Sequence, residues 1–519
     1  MKKSVVISVI LAAFLAVPHV ADAQYRTKDV PEDAPKTEAQ LILEQADSSE
    51  TPIVITLEQA LEIGLSENVS VKVADKEIQR TGYAKKGAYA ALFPQIDFSG
   101  AYQRTIKKQV MYMDFDMSSL GGAMGGGAGA GSGEGESSGE AGTGSGEGTQ
   151  IPDGSQGSEG DAGGFDTSGG LEVGRWNTWS AGVSAAMPLV NVQLWKSLKI
   201  SGLDVELAVE KARSSRLEMV SQVKSAYYSI LFAKEAFEVY RLVYENAVQN
   251  LAETQKKYDA QKVSEMELMR AKTTVANAVP NVYNAESSVI LALWQLKAVL
   301  GVDLDMNLDV AGKLADYAQH MFYDIHSNDD VTLDRNTTMK QLAIQAEMLA
   351  ETIKLQKYAN LPSLAVAFNF SINAMTNDFN FSEYRWTPYS TVGLSLSIPI
   401  FAGGKRYQQI RQAKNQYEQI QFQTANTERQ LKIAIRQNLT TMETNMKSYY
   451  AAQEAVASAQ KGYDITEASY KVGRSTLIEL NDAQLALTQS RLAESQAIFN
   501  FLSAKTQLEQ TLGQDFISE

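Results

Sequence analysis

The sequence predicts a mainly α fold with a small β-barrel, produced by a duplicated unit. Three observations carry this. The first is self-similarity: residues 68–94 align without gaps on 336–362 at an offset of 268, and residues 182–189 align on 393–400 at an offset of 211. Tyr258, Leu268, Ala271, Leu300 and Gly301 then match Tyr470, Leu480, Ala483, Leu512 and Gly513 at an offset of 212. The second is a pair of period-two segments in each copy, bracketed by prolines. The third is a helical pattern of about 70 residues after the second proline of each pair.

Taken in order, Lys2 and Lys3, the apolar run 4–17 and the Ala21-Asp22-Ala23 box read as a signal peptide over 1–23. That apolar run falls short of the roughly 18–20 residues a membrane helix needs. Residues 24–50 are polar, contain Pro31 and Pro35, and are expected to be a flexible lead-in. The first repeat spans 51–300. A helix over 56–92 ends at Pro94, because the residue before a proline is pushed out of helix. In the strand that follows, Ile96, Phe98 and Tyr102 alternate with Asp97, Ser99 and Gln103. Its return strand sets Trp179, Ala181, Val183, Ala185 and Met187 against Thr178, Ser180, Gly182 and Ser184. A long helix over 189–258, a turn at 259–264 and a helix over 264–300 complete the copy. Pro280 is expected to kink that last helix or delay its start.

An equatorial connector over 301–335 holds His320 and His326, which read as ordinary polar residues. The second repeat, 336–513, restates the pattern with a helix over 336–360. In its first strand Leu364, Val366, Phe368, Phe370 and Ile372 alternate with small or polar residues. Val392, Leu394, Leu396 and Ile398 do so in the return strand. A long helix over 400–470, a turn at 471–476 and a helix over 476–512 follow. There Ile478, Leu485, Leu492 and Phe499 recur every seven residues, which predicts a coiled-coil seam. Residues 514–519 form a C-terminal tail.

Composition locates one further feature. Residues 121–170 hold 21 of the 36 glycines and eight acids without a Lys or Arg, so −8 of the net charge of −14 lies there. This window is an insertion in one copy, within a loop over 105–175 between the first two strands, and is expected to be extracellular and disordered. No basic run exists, so no nucleic-acid partner is expected. The absence of Cys excludes thiolate metal sites, cysteine nucleophiles and disulfides. No catalytic motif sits in a suitable strand–helix context, so neither an enzyme nor a cofactor is expected.

Four strands cannot close a barrel, and open edges are not tolerated in lipid. Two chains would give eight strands, whose side chains fill the interior, whereas three give twelve and a wet lumen. The expectation is therefore a homotrimeric 12-stranded outer-membrane β-barrel whose apolar faces meet lipid. A periplasmic α-helical coiled-coil tunnel roughly 100 Å long would continue it. Trp176, Trp179, Tyr384, Trp386 and Tyr389 read as an interfacial aromatic girdle.

This order of elements, twice over, resembles the TolC-type outer-membrane efflux family across about 51–513 apart from the insertion. The stretch Ile398-Pro399-Ile400-Phe401-Ala402-Gly403-Gly404-Lys405 carries the resemblance at a strand-to-helix join. The stretch from Tyr470 to Ala483, with Val472-Gly473-Arg474-Ser475-Thr476, carries it at a helix-to-helix turn. The resemblance implies an outer-membrane exit duct of a Gram-negative bacterium, gated at its periplasmic tip. It would conduct small molecules delivered by a periplasmic adaptor and an inner-membrane RND or ABC-type pump. It further implies that Glu479 and Asp482 constrict the pore as two stacked acidic rings, the plainer reading being a solvated helix face. Tyr470 matches the family's latch Tyr and Glu267 the acid it holds. The family's latch Arg falls on Ser475, so Arg474, one position earlier, is the candidate for that role. Val472, Gly473, Arg474, Gln261 and Lys262 form the implied adaptor-docking tip, with Gln261 where the family has Gly. One-step (type I) protein secretion shares this architecture and stays open as an alternative. A trimeric coiled-coil surface adhesin is the rival of another class, although it would not need two proline-bracketed strand pairs.

Overall fold

The structure is a computed structural model and describes residues 52–111, 171–321 and 333–514. The signal peptide, the lead-in, the glycine-rich acidic window, His326 and nearly all of the tail lie outside the described residues. In chain order the elements are β1 (Ile53–Ile55), α1 (Leu57–Glu67), α2 (Val69–Ala90), β2 (Gln95–Arg104), β3 (Gln109–Met111) and β4 (Leu171–Val173). There follow β5 (Asn177–Val190), α3 (Val192–Asp259), α4 (Glu265–Leu300), β6 (Leu308–Val310) and a 3-10 turn over Leu314–His320. The second copy adds α5 (Thr337–Tyr358), β7 (Ser363–Thr376), β8 (Thr387–Ser397), α6 (Lys405–Lys471) and α7 (Leu477–Leu512). They form two compact units, a helical one and a sheet one made of residues 92–190 and 363–397.

In the helical unit α3 and α6 are 68 and 67 residues long, and α4 and α7 are 36 each. The helix expected over 56–92 is two helices. Asn68 ends α1 and its side-chain oxygen caps α2, accepting from the Ser70 and Val71 N–H groups. Its amide nitrogen donates to the Val299 carbonyl at 2.6 Å, so α2 begins where α4 ends. Asn336 repeats the device on the Thr511 carbonyl, also at 2.6 Å. The duplication therefore extends to individual hydrogen bonds. Gly301 (φ +78°) and Gly513 (φ +68°) end α4 and α7 in the left-handed conformation, each pressed against the backbone of Glu67 or Arg335. Only a residue without Cβ fits there.

The structure narrows two sequence expectations. The helix carrying Pro280 does not start late; α4 begins at Glu265 and runs through the proline. Pro280 deprives the Ala276 carbonyl of a donor. Ala271, Ala278, Ala285 and Ala292, seven apart, are buried on both sides of that gap, and α4 packs along α3. In α7 Leu480, Leu487, Ile498, Phe501 and Leu502 are buried within one chain; of the expected seam Leu492 and Phe499 are half-buried, and Ile478 and Leu485 are 50% and 55% exposed. The rotation of the helix on its partners decides which of its apolar residues face into the chain.

Sequence reading also missed the short parallel pair β1–β6, with Ile53 opposite Leu308. It brings the connector onto α1 and α3, where Ile55, Ile63, Tyr227, Ile230, Leu308, Leu314 and Phe501 share the largest core. The Tyr227 hydroxyl donates to the Ala311 carbonyl at 2.6 Å, which satisfies it at that depth.

The sheet unit is a four-stranded antiparallel sheet in the order β2-β5-β7-β8. Its two edges, β2 and β8, have no further strand among the described residues. The register aligns Ile96, Ala185, Phe368 and Val392 across all four strands, and one step along it aligns Phe98, Val183 and Phe370. One face is thus apolar and largely exposed, with Val392 74% and Leu394 70% accessible. The other carries Ser99, Gly182 and Ser371 in register. At Gly182 a Cβ would lie 2.7 Å from the Phe370 carbonyl oxygen, so the strands approach too closely for a side chain. Trp179, Tyr384 and Trp386 join Tyr102 and Phe381 in one run of rings, beginning with Tyr102 and Trp179 at 4.3 Å. Trp176 stands apart, under the Lys108 ammonium. Tyr389 departs from the expected girdle: its register partner is Ser371, which puts it on the small, polar face.

Candidate functional site at the helical tips

The α3–α4 and α6–α7 hairpins each end in a helix-to-helix turn, and the sequence that makes these two turns differs more than their geometry. After α3 the N–H groups of Gln261 and Lys262 donate to the carbonyls of Tyr258 and Lys257, both at 2.8 Å. After α6 Gly473 and Arg474 donate to Tyr470 and Ser469, at 3.0 and 2.8 Å. Both are the same glycine-type helix stop. Gly473 takes φ +77° and Gln261 takes φ +57° at the matching position. The first tip thus holds a side chain in a conformation that costs an L-residue roughly 1–2 kcal/mol. Ser264 and Thr476 then cap α4 and α7 by accepting from the N–H groups of Glu267 and Glu479, each at 3.3 Å.

Glu267 and Glu479 therefore occupy equivalent positions, and their carboxylates behave differently. Glu479 folds back to accept from the Thr476 N–H at 2.8 Å, closing a capping box. That bond holds its carboxyl below the usual range. Glu479 and Asp482 are both exposed and lie three residues apart on α7. Glu267 closes no such box. It is half-buried and lines a cavity of about 500 Å³ between the two tips, together with Lys257, Lys262, Arg270, Tyr470 and Ile478.

Tyr470 is the centre of this region. It is 2% exposed and packs with Ala271, Tyr463, Leu477, Leu480 and Leu487. Its hydroxyl lies 2.7 Å from the Thr254 hydroxyl. Thr254 gives its own proton to the Asn250 carbonyl at 2.8 Å, so Tyr470 is the donor between them. The Lys257 ammonium stands 4.1 Å from the Tyr470 ring centroid and donates to the Tyr470 carbonyl at 2.9 Å. Burial pushes the Tyr470 phenol up, and the charges of Glu267 and Glu253 push it further. It stays protonated at neutral pH. Among the described residues Arg474 makes no side-chain hydrogen bond or ion pair, and Val472 is 70% exposed. Sequence reasoning singled out Tyr470 but missed Thr254 and Lys257. The repeat offset could not flag Lys257, because its counterpart is Ser469.

Comparison with known proteins places this geometry. The profile described as "Outer membrane efflux protein" matches residues 60–302 and 330–514. It covers most of both copies, and the chain belongs to that family. Outer membrane protein TolC of Escherichia coli is 21% identical over 349 residues, 65% of this chain and 70% of that protein. Outer membrane protein TolC of Vibrio cholerae is 20% identical, over 64% of this chain and 76% of that one. The crystal structure of the Campylobacter jejuni CmeC outer membrane channel superposes with a TM-score of 0.65 at 16% identity, covering 90% of this chain and 89% of that one. The fold class expected from the sequence agrees with this match: the chain is mainly α with a four-stranded sheet, built from a duplicated unit, and shares its fold with an outer membrane channel.

Proposed function

We propose that the chain is the exit duct of a tripartite efflux system, passively conducting small molecules from the periplasm to the exterior. Three copies form the channel. Its helical tips meet a periplasmic adaptor, which links it to an inner-membrane RND or ABC-type pump, and its strands meet outer-membrane lipid. The carrying observation is the family match across both copies, each ending in a helical tip of the same geometry. Within that reading Glu479 and Asp482 constrict the pore as two acidic rings. Tyr470 is the latch, with Glu267 and Arg474 as its partners, and Arg474, whose side chain meets no partner among the described residues, is free to reach a neighbouring copy. Val472, Gly473, Arg474, Gln261 and Lys262 receive the adaptor. The chain performs no catalysis. Deleting the gene and measuring susceptibility to drugs and bile salts beside the secreted proteome tests the proposal. Efflux requires raised sensitivity that the intact gene reverses, with the secretome unchanged. A lost secreted protein at unchanged sensitivity would assign the channel to secretion instead.

A further inference from the structure

The helical tip contains a tie whose cation comes from an unexpected place. Tyr470 sits on α6 and Lys257 on α3, so they belong to the two separate helical hairpins of one chain. Three contacts converge on this one tyrosine. Its hydroxyl donates to Thr254, its carbonyl accepts from Lys257 at 2.9 Å, and the same ammonium lies over its ring at 4.1 Å. Thr254 is fully buried and Tyr470 nearly so, which strengthens both the hydrogen bond and the cation–ring attraction. Ser475 has no charge, and Arg474 points its side chain to no partner among the described residues.

The geometry points to Lys257 as the cation that holds the two hairpin tips together, so that it sets how readily this channel opens. The inference rests on the reading above that the tips are the gate. Any motion that separates or rotates one hairpin against the other must break the Lys257 contacts, because the ring and the carbonyl it engages move together. The second copy has Ser469 at the matching position, so the tie is made once per chain, from the first hairpin to the second. Threefold assembly places three such ties around the mouth.

The test is single-channel conductance of the purified trimer in a planar bilayer, for wild type, Lys257→Met, Lys257→Arg and Tyr470→Ala. Methionine keeps the length of the side chain without its charge or donors. The expected result is an open fraction about 5- to 30-fold higher for Lys257→Met. Lys257→Arg, which restores a donor and a ring-stacking cation, should return it to the wild-type level. Detergent-stable trimer and an unchanged melting temperature must accompany the change. If Tyr470→Ala opens the pore and Lys257→Met does not, the channel reading stands and the role of Lys257 is overturned. A Lys257→Arg variant as leaky as Lys257→Met also overturns it, since any disturbance of the tip would then suffice. If neither wild type nor any variant conducts ions, the channel reading fails, and this inference with it.

Discussion

Glu351 offers a quantitative test of how α3 and α5 are held together. Its side chain is 3% exposed and meets three ammonium groups: Lys196 and Lys199 from α3, each at 3.0 Å, and Lys354 from its own helix at 2.9 Å. The bond from Lys354, and then those from Lys199 and Lys196, lower its carboxyl from 4.5 to about 2 against the opposing effect of burial. Because the folded value is depressed, the stabilisation is fully present above about pH 4.5 and is lost as pH falls through about 2. At neutral pH it reaches about 3 kcal/mol by linkage. Lys199 and Lys354 are about half-exposed, and screening by water brings the expectation nearer ~2 kcal/mol. Glu351→Gln keeps the shape and removes the charge. Guanidinium unfolding of the detergent-solubilised protein, followed by helical circular dichroism, should show that loss at pH 7. By pH 3 the gap between variant and wild type should shrink to ~1 kcal/mol or less. A variant equally destabilised at both pH values, or unaffected at pH 7, would refute the reasoning.

Three further outcomes follow from the same structure. Gly301 and Gly473 share a left-handed φ, but a Cβ at Gly301 would lie 2.9 Å from the Glu67 carbonyl oxygen, while one at Gly473 meets nothing within 4 Å. Gly473→Ala should therefore cost about 1–2 kcal/mol and Gly301→Ala a further 1–3 kcal/mol or so; equal losses on denaturation would contradict this account. The double variant Glu479→Gln, Asp482→Asn keeps the cap on α7, since Gln also closes a capping box. It should lower cation selectivity and relieve block by multivalent cations; unaltered cation sensitivity in a planar bilayer would return both acids to a solvated helix face. Pro280 is exposed within α4, so Pro280→Ala removes no packing and restores the N–H its helix lacks. A gain of up to about 3 kcal/mol is expected, and a lowered melting temperature would show that the proline is needed for the shape of α4.

Much of the fold was legible because local rules fix it. The prolines, the period-two segments and the offsets placed all four long strands and both long helices to within a few residues. Where several arrangements obey the same local rule, the sequence left the choice open. The break at Asn68 was invisible because its reason is the Val299 carbonyl, 231 residues away. Tyr389 looked like its aromatic neighbours until strand register set it beside Ser371.

By itself, then, the sequence determined the duplicated architecture and the alternation that gives the sheet one apolar face, while the resemblance it carries singled out Tyr470, Glu479 and Asp482. Periodicity and turn chemistry act over a few residues and can be read along the chain. Only the tertiary structure decided that Leu480 and Leu487 of α7 face into one chain while Ile478 faces out, and that Tyr470 is held by Thr254 and Lys257. Those outcomes depend on helix rotation and on contacts between hairpins more than two hundred residues apart, which no local pattern encodes.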